Sequence, residues 1–332
     1  MSEEPKRTLD HDVDFDVEKE HDRRPLDFIV RAHLQLSWGV VRELVKRGKV
    51  SVNGARADDA TTKIAAGAHV EVRPHARRLS PNSLPSEAIA YVDPHVVVVR
   101  KPAGISTIPY DDDETDTLQE RVHRYLVRHA RQPPHASLGV VHRIDKETSG
   151  LVVFARTFAA KKQLSNAFRL HAIERRYVAV VHGVLSGKRE YRTYLMQDRG
   201  DGLRGSAKDE RVGKQAGQLA VTHVAPLEKL SEQASLVACA LETGRTHQIR
   251  IHLSEAAMPV VGDRVYTRDR FKRGQPLIEA PRLMLHAIVL GFAHPITQQP
   301  LRFSDPLRDD MRKVIARLAG RAIEVDPDAL PL

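Results

Sequence analysis

Short apolar runs alternate with helical stretches along the chain after residue 88. The runs are rich in the β-branched residues that favour strands, and the stretches between them repeat apolar residues at the helical period. The clearest strand-like runs lie at 89–92, 96–99 and 177–181, and the clearest helical stretches at 118–130 and 159–170. This alternation predicts an α+β domain over residues 88–325.

The chain before residue 88 divides into three segments of different composition. Residues 1–22 are rich in Asp and Glu without an apolar period, which predicts a disordered acidic tail. Residues 23–74 contain two short helical stretches, the second with Ser37 as its N-cap, and a strand that turns at Asn53-Gly54. Residues 75–87 belong to a proline-containing stretch and are predicted to be a linker. A length of 332 residues also favours one large domain with a small accessory domain.

The charge of the chain is strongly positive and unevenly distributed. The net charge is +9 and the sequence pI is about 9.7. Residues 1–20 carry eight acidic and three basic side chains, which is −5, so the remaining chain carries +14. Such a charge predicts an anionic partner, and nucleic acid is favoured because no apolar run is long enough to span a membrane. The acidic start lacks the pattern of a secretory signal, so we expect a cytoplasmic protein.

Cysteine and acidic residues give no indication of a metal site. Cys239 is the only cysteine, which excludes a disulfide within the chain and a thiolate cluster, and its apolar neighbours predict a buried strand residue. The acidic cluster at 111–114 is predicted to be a solvated loop and not a Mg²⁺ site. His247 and His252 lack the i, i+4 spacing of a paired-histidine site, so no metal is predicted.

A dense polar turn at 142–150 separates two apolar strand-like runs. It presents Asp145 between Arg143 and Lys146, and nearby cations favour the ionised form of a carboxylate. An ionised aspartate is a competent nucleophile. The same turn residues could equally serve to satisfy backbone amides, so the spacing alone leaves both interpretations open.

The segment His142-Arg143-Ile144-Asp145-Lys146-Glu147-Thr148-Ser149-Gly150 closely resembles the catalytic motif of the RluA family of pseudouridine synthases. Five other segments resemble further motifs of the family and occur in the family's order along the chain: Arg100–Gly104, Glu174–Tyr177, Thr243–His252, Pro259–Asp263 and Leu283–Ala287. Residues 23–74 resemble the RNA-binding domain named after ribosomal protein S-four, through 26–28, Ser37 and 48–54. The resemblance implies a catalytic domain on a mixed, mainly antiparallel sheet with flanking helices, preceded by this small α/β domain.

The chain departs from the family pattern at three places. Ile144 stands where the family usually has leucine, which is a tolerable change of shape in an apolar slot. Residues 105–109 lack the histidine that is often found before Pro109. Trp38 replaces the basic residue that commonly follows Ser37, although an indole can stack on a base instead.

The resemblance implies an enzyme that isomerises uridine in RNA to pseudouridine without a metal or a nucleotide cofactor. Asp145 is expected to attack the uridine, at the sugar or at the ring, after which the freed uracil rotates and rejoins through carbon. Tyr177 is expected to stack beneath the base and assist proton removal, and Arg250 to pair with the catalytic carboxylate. Arg143 is expected to fill the gap left by the flipped uridine, and Leu285 to line the pocket. Further candidates for substrate contact are Lys101, Arg245, His247 and Gln248.

Two rival functions use the same residues. One is a non-catalytic RNA-binding ribosome-assembly factor on this fold, and the other is a hydrolase with Asp145 as general base. The joint presence of Asp145, Tyr177 and Arg250 argues against the first, and the lack of a Ser or Cys nucleophile motif argues against the second. Large-subunit ribosomal RNA is the expected substrate and transfer RNA the second candidate. A monomer is expected, because no repeated apolar interface stripe is evident.

Overall fold

The computed structural model of the protein describes residue 9 and residues 11–53, 55–57, 59–75, 84–110 and 114–332. The predicted turn at Gly54, the acids 111–113 and most of the predicted linker therefore lie outside the described residues. The chain divides into two compact units, residues 1–83 and residues 84–332. Among the described residues, no helix is long and apolar enough to cross a membrane.

The described part of the first unit contains two α-helices and six strands. They are β1 (Val13–Asp16), β2 (Arg24–Pro25), α1 (Leu26–Leu34), α2 (Trp38–Lys46), β3 (Val50–Val52), β4 (Ala55–Arg56), β5 (Lys63–Ile64) and β6 (His69–Val72). Four of the strands form an antiparallel sheet in the order β1-β6-β3-β4, and β2 pairs with β5.

Helices α1 and α2 form the predicted helical pair. Leu26, Ile29 and Val30 of α1 are buried, as the apolar spacing of that stretch predicts. Ser37 caps α2, because its Oγ accepts a hydrogen bond at 3.4 Å from the third amide of the helix. The cap confirms the predicted start of this helix.

The prediction of a disordered tail over residues 1–22 is wrong for its second half. Strand β1 pairs antiparallel with β6, with Val13 opposite Val72. Phe15 and Val17 are buried in the apolar core of the first unit. Apolar residues at 13, 15 and 17 alternate with charged ones at the strand period, and the high acidity of the segment obscured this signal.

The described part of the second unit contains the remaining six α-helices and eleven strands. The strands are β7 (Ile89–Val92), β8 (Val96–Lys101), β9 (Gly139–Val140), β10 (Ser149–Ala155), β11 (Glu174–His182), β12 (Arg189–Met196), β13 (Gly205–Ser206), β14 (Gln218–Ser231), β15 (Ala234–Leu241), β16 (Leu285–Ala293) and β17 (Pro300–Ser304). The helices are α3 (Leu118–His129), α4 (Phe158–Arg169), α5 (Glu210–Ala216), α6 (Gln248–Glu255), α7 (Arg268–Lys272) and α8 (Asp309–Ala319).

One large sheet organises the second unit. Its main path runs in the order β13-β12-β14-β15-β11-β16-β10-β8-β7, with β17 on β16 and β9 on β10. Among the described pairings only β10 with β16 is parallel. The predicted α+β class and mainly antiparallel sheet are confirmed. Cys239 is fully buried in β15, as its apolar neighbours predict.

The second unit begins before the predicted start at residue 88. Leu84 is buried in the core of this unit, and Ser86–Ala88 form a turn of 3₁₀ helix. The last residues of the predicted linker 75–87 are therefore part of the fold. The reason is the apolar side chain of Leu84, which lies between two prolines in the sequence. Its burial in the core has a more favourable free energy than its exposure in a solvated linker.

The parallel pairing of β10 and β16 depends on one glycine. Gly150 has φ +117°, and a Cβ at this position would lie 2.2 Å from the backbone oxygen of Ala287. Only glycine allows the two backbones to approach so closely. The approach places the polar turn before β10 beside Leu285, the first residue of β16.

Candidate active site

A cavity of about 440 Å³ lies beside the polar turn, within the size range of small-ligand pockets. Its wall combines the turn, the end of α4, strand β11, the segment that leads into α6, and the start of β16. The lining residues are Val141, His142, Arg143, Ile144, Asp145, Thr148, Phe168, Arg169, His171, Arg175, Tyr177, Leu241, Gly244, Arg245, Thr246, His247, Gln248, Ile249, Arg250 and Leu285.

Asp145 is held toward this cavity by Arg250. Arg250 Nη1 lies 3.3 Å from Asp145 Oδ2, and the Asp145 side chain keeps 20% of its exposure. Arg250 itself is buried on α6 and is clamped from behind by Asp263, with Nε to Oδ2 at 2.6 Å and Nη2 to Oδ1 at 3.0 Å. The two-point contact fixes the plane of the guanidinium group, so its third nitrogen is aimed at Asp145.

The Asp263 side chain is fully buried, and its surroundings favour the charged form. Burial alone would raise the pKa of its carboxyl, but hydrogen bonds from Arg250 and from the amides of Tyr266 and Val265 outweigh burial and lower the pKa below its usual value. The preceding Gly262 has φ +79°, and a Cβ there would lie 1.9 Å from the backbone oxygen of Arg282. A glycine is therefore required for the turn that presents Asp263.

The Asp145 turn is fixed on its far side by Lys101. The Lys101 ammonium is fully buried and donates to the carbonyl oxygens of Pro102, Ile105 and Lys146, at 3.0, 2.8 and 2.8 Å. Burial lowers the pKa of Lys101 to about 7, while three acceptors match the three N–H bonds of the protonated amine. The structure does not place Lys101 in the cavity, which corrects the expectation of substrate contact. All three hydrogen bonds of the Lys101 ammonium are made to backbone carbonyl oxygens, so none is left for a substrate.

Thr107 adds a second fixing point for the turn. Its Oγ1 donates to the carbonyl oxygen of Ile144 at 2.8 Å and accepts from the Ile144 amide at 3.3 Å. Both contacts lie directly before Asp145 in the chain. The backbone that carries the carboxylate is therefore held from two directions.

Gln248 and His247 lie at the start of α6 in different roles. All four hydrogen-bonding positions of the Gln248 amide are used by Thr243, Arg245, Val221 and Thr222. Gln248 lines the cavity, but its amide has no free hydrogen-bonding position, so the predicted contact with substrate would be one of packing only.

His247 and Arg245 do face the cavity. The His247 Nδ1 lies 2.9 Å from the Tyr266 hydroxyl, and burial lowers the pKa of this imidazole. The Arg245 Nε donates to the carbonyl oxygen of Leu219 at 3.0 Å while its side chain lines the wall. Both residues lie where the sequence predicted them.

Tyr177 and Leu285 belong to the apolar part of the wall. They are 8% and 3% exposed, and they lie on the neighbouring strands β11 and β16. Burial raises the pKa of Tyr177 to about 12, so the hydroxyl keeps its proton at neutral pH. Arg175 is on the same face two residues earlier, and it donates to the carbonyl oxygens of Leu241 and Glu242 at 3.3 and 2.7 Å.

Comparison with known proteins identifies the family. Residues 95–255 match the family described as RNA pseudouridylate synthase. The chain is 36% identical over 286 residues to the ribosomal large subunit pseudouridine synthase D of Neisseria meningitidis serogroup A, covering 82% of this chain and 73% of that relative. It is 34% identical over 314 residues to the uncharacterized RNA pseudouridine synthase YlyB of Bacillus subtilis, covering 92% and 98%. The chain belongs to the RNA pseudouridylate synthase family.

The fold of this pseudouridine synthase also matches a solved structure. Human RNA pseudouridylate synthase domain containing 4 superimposes with a TM-score of 0.56 at 22% identity, covering 72% of this chain and 95% of that one. The protein is thus an RNA-modifying isomerase that converts uridine to pseudouridine. This finding excludes the rival interpretations as a hydrolase or as a protein that only binds RNA.

The cavity of this synthase has the charge that an RNA substrate requires. Asp145 is the one carboxylate among the lining residues. Five arginines also line the cavity: Arg143, Arg169, Arg175, Arg245 and Arg250. Arg143 is exposed next to Asp145, as predicted. A cluster of cations attracts the phosphate backbone and leaves the single carboxylate for chemistry.

Sequence reasoning missed several residues of the synthase site. Asp263 lies in a segment that resembles the family, but its role as the clamp of Arg250 has no local signature. Arg175 could have been found, because a strand places residues 175 and 177 on one face. Thr107 and Tyr266 act through tertiary hydrogen bonds that no spacing reveals.

The fully buried His286 and the partly buried His142 support strand β10 in their neutral form. His286 Nδ1 accepts from Ser149 Oγ at 2.9 Å and its Nε2 donates to the carbonyl oxygen of Asp305 at 2.9 Å. His142 Nε2 accepts from the Val153 amide at 3.0 Å. Burial lowers the pKa of His286 to about 4 and that of His142 to about 3.

We expect these histidines to make the synthase sensitive to acid. Below pH 6.5 the unfolded chain binds protons that the native state refuses, so the free energy of unfolding falls as pH drops. The expected slope is about 1.4 kcal/mol per pH unit for each histidine between pH 6.5 and about 4, and zero above pH 6.5. Urea unfolding at neutral pH and near pH 5 measures it. His286→Gln should reduce the slope, and a stability that is independent of pH in this range would contradict the assignment.

Proposed function

We propose that the protein isomerises specific uridines of large-subunit ribosomal RNA, with Asp145 as nucleophile. The observation that carries the catalytic part is the Asp145–Arg250 pair at 3.3 Å, set in a cavity whose other charged walls are cationic. The substrate part is supported by the relative from Neisseria meningitidis, which is a large-subunit enzyme by name. Transfer RNA is the second candidate.

The geometry leaves one oxygen of Asp145 available for attack. Arg250 binds Oδ2, and within the described residues Oδ1 accepts no hydrogen bond. In the proposed reaction Asp145 attacks the uridine at the sugar or at the ring, and the bond between base nitrogen and sugar breaks. The uracil rotates and its carbon bonds to the sugar, the bond to Asp145 breaks so that the carboxylate is regenerated, and the proton lost from that carbon is balanced by one gained at the nitrogen. Atoms and electrons balance without an oxidant or a reductant.

Tyr177 and Leu285 are proposed to hold the base during its rotation. Both are buried in the wall beside Asp145, and a flat ring with an aliphatic neighbour suits a planar uracil. The Tyr177 hydroxyl is protonated at neutral pH, so it would assist proton transfer as a donor or a relay. Arg250 is proposed to orient the carboxylate before and after attack.

Arg143 is proposed to occupy the gap left in the RNA by the flipped uridine. Extrusion of a base costs a few kcal/mol of lost stacking, and a planar guanidinium can recover part of it. Arg143 is exposed, lines the cavity and lies two positions before Asp145 in the chain. We further propose a monomer that acts in the cytoplasm, where its ribosomal substrate would be met.

Mapping of pseudouridine in cells that lack this protein tests the substrate. We expect loss at discrete positions of large-subunit ribosomal RNA, restored by the wild-type chain. Loss confined to transfer RNA would overturn the ribosomal assignment and leave the enzyme class intact. A map that is unchanged in both RNA classes would contradict the proposed function.

A further inference from the structure

An exposed cluster of aromatic and cationic side chains covers one face of α1 and α2 in the first unit. We call it the Trp38 cluster, and it consists of Arg24, Phe28, Arg31, Trp38 and Arg42. Trp38 is the only tryptophan of the chain and keeps 40% of its exposure. It is not part of the apolar core of this unit. A single exposed apolar side chain is common on protein surfaces, and what distinguishes Trp38 is the set of planar cationic groups around its ring.

The cluster combines two neighbouring rings with three guanidinium groups. The Cζ atoms of Arg31 and Arg42 lie 5.0 and 5.6 Å from the centroid of the Trp38 ring. The Phe28 ring centroid is 6.5 Å from that of Trp38, and Arg24 Cζ lies 5.1 Å from the Phe28 ring. The three arginine distances are within the range of cation–π attraction, and the ring–ring distance is within that of an aromatic pair. The cluster is thus a continuous strip of planar groups.

The helices hold this strip in place. Ser37 caps α2, which fixes Trp38 as its first residue. The buried Asp27 on α1 binds Arg42 Nε at 2.9 Å, while the Arg42 side chain remains 60% exposed. Planar groups that are ordered before binding lose little conformational entropy on contact with a ligand.

Charge and shape together indicate the ligand. Arg24 and Arg31 are exposed, and among the described residues neither has a carboxylate partner within ion-pair distance. Unpaired bases of RNA stack on aromatic rings and on guanidinium planes, while the flanking phosphates pair with cations. The bases of a duplex are stacked on each other and do not offer their faces. An unpaired nucleotide therefore fits the strip better than a helix does.

We propose that the Trp38 cluster binds an unpaired nucleobase of the RNA substrate, by stacking on the indole and its neighbouring guanidinium groups. A module that only contacted phosphates would bind by charge and without regard to strandedness. The stacking strip would instead direct the enzyme to loops or bulges. The inference rests on the proposed RNA substrate, but not on the role of Asp145, because binding requires no turnover.

The fluorescence of Trp38 reports on the proposed contact directly, since the chain has no other tryptophan. The full-length protein is titrated with a short oligouridine strand and with an RNA duplex of the same length, and binding is followed in parallel by the anisotropy of labelled RNA. We expect the single strand to quench the emission and the bound duplex to leave it nearly unchanged. A single strand that does not bind, or that binds without changing the emission, would overturn the proposal.

Variants separate stacking from charge. Trp38→Ala is expected to weaken binding of the single strand by about tenfold, which corresponds to the loss of one stacked base. Trp38→Phe should retain part of the affinity. Trp38→Lys adds a cation without a ring, and recovery of wild-type binding by this variant would overturn the proposal in favour of phosphate contact. The stacking assignment is tested by binding and fluorescence of Trp38 variants and the catalytic assignment by turnover of Asp145→Asn, so the failure of one is distinguishable from the failure of the other.

Discussion

Replacement of Asp145 by asparagine is expected to reduce pseudouridine formation by roughly 10⁴-fold or more, the scale seen when a catalytic nucleophile is removed. The amide has nearly the same shape and can still bind Arg250, so folding and RNA binding should be retained. It lacks the negative charge that attacks the uridine. The rate is measured by release of tritium from RNA labelled at carbon 5 of uridine, because that carbon exchanges its hydrogen for the sugar in the product.

Glu147→Gln is the matched control for this experiment. Glu147 lies in the same turn, is exposed, and does not line the cavity. The substitution removes one negative charge two residues away, so it reproduces the change in local charge without touching the nucleophile. We expect activity close to that of the wild type. Substantial activity in Asp145→Asn would remove Asp145 from its proposed role.

Replacement of Asp263 by asparagine is expected to lower both stability and activity. The buried guanidinium of Arg250 would lose its compensating charge, and breaking a buried ion pair from one side costs about 3–5 kcal/mol. The carboxylate of Asp145 would then face an Arg250 that is no longer held in one plane. The free energy of unfolding is measured with urea, and the turnover number at a temperature where the variant remains folded.

A second arginine–aspartate pair supplies the control. Arg282 binds Asp310 in the same two-point manner, with Nε and Nη2 at 2.6 and 2.8 Å, but outside the catalytic cavity. The Asp310 side chain is 39% exposed, so water can replace part of the contact. Asp310→Asn should therefore cost less stability and leave turnover intact. Equal loss of turnover in both variants would show that the Asp263 clamp has no specific catalytic effect.

Local sequence patterns predicted helices α1 to α4 and several strands, among them β7, β8 and β11. The apolar period of α3 and α4 and the β-branched runs of β7 and β8 are strong signals that tertiary packing did not override. The mainly antiparallel character of the sheet was predicted only through family resemblance, and the order of its strands was not predicted. Hydrogen bonding between strands distant in sequence leaves no trace in composition or period.

The errors have a common physical origin. β1 was missed because its segment was judged by its overall acidic composition. The acidic side chains lie on one face of the strand, and the apolar ones on the other face pack in the core of the first unit. Lys101 and Gln248 were assigned to substrate because they are polar and close to motifs, yet both are saturated by backbone and side-chain partners inside the fold. Asp263 was not assigned a role, since its function depends on the position of Arg250 in space. The roles of the cavity residues stay predictions until the variants are measured.

The parallel contact of β10 with β16 has a consequence for the synthesis of the protein. Ser149 and His286 are hydrogen-bonded across it although 137 residues separate them in the chain. The side of the cavity that carries Asp145 is therefore translated long before the side that carries Leu285. Contacts between such distant segments form late in folding. A nascent chain therefore lacks a complete cavity until the segment that carries Leu285 has been synthesised and has folded.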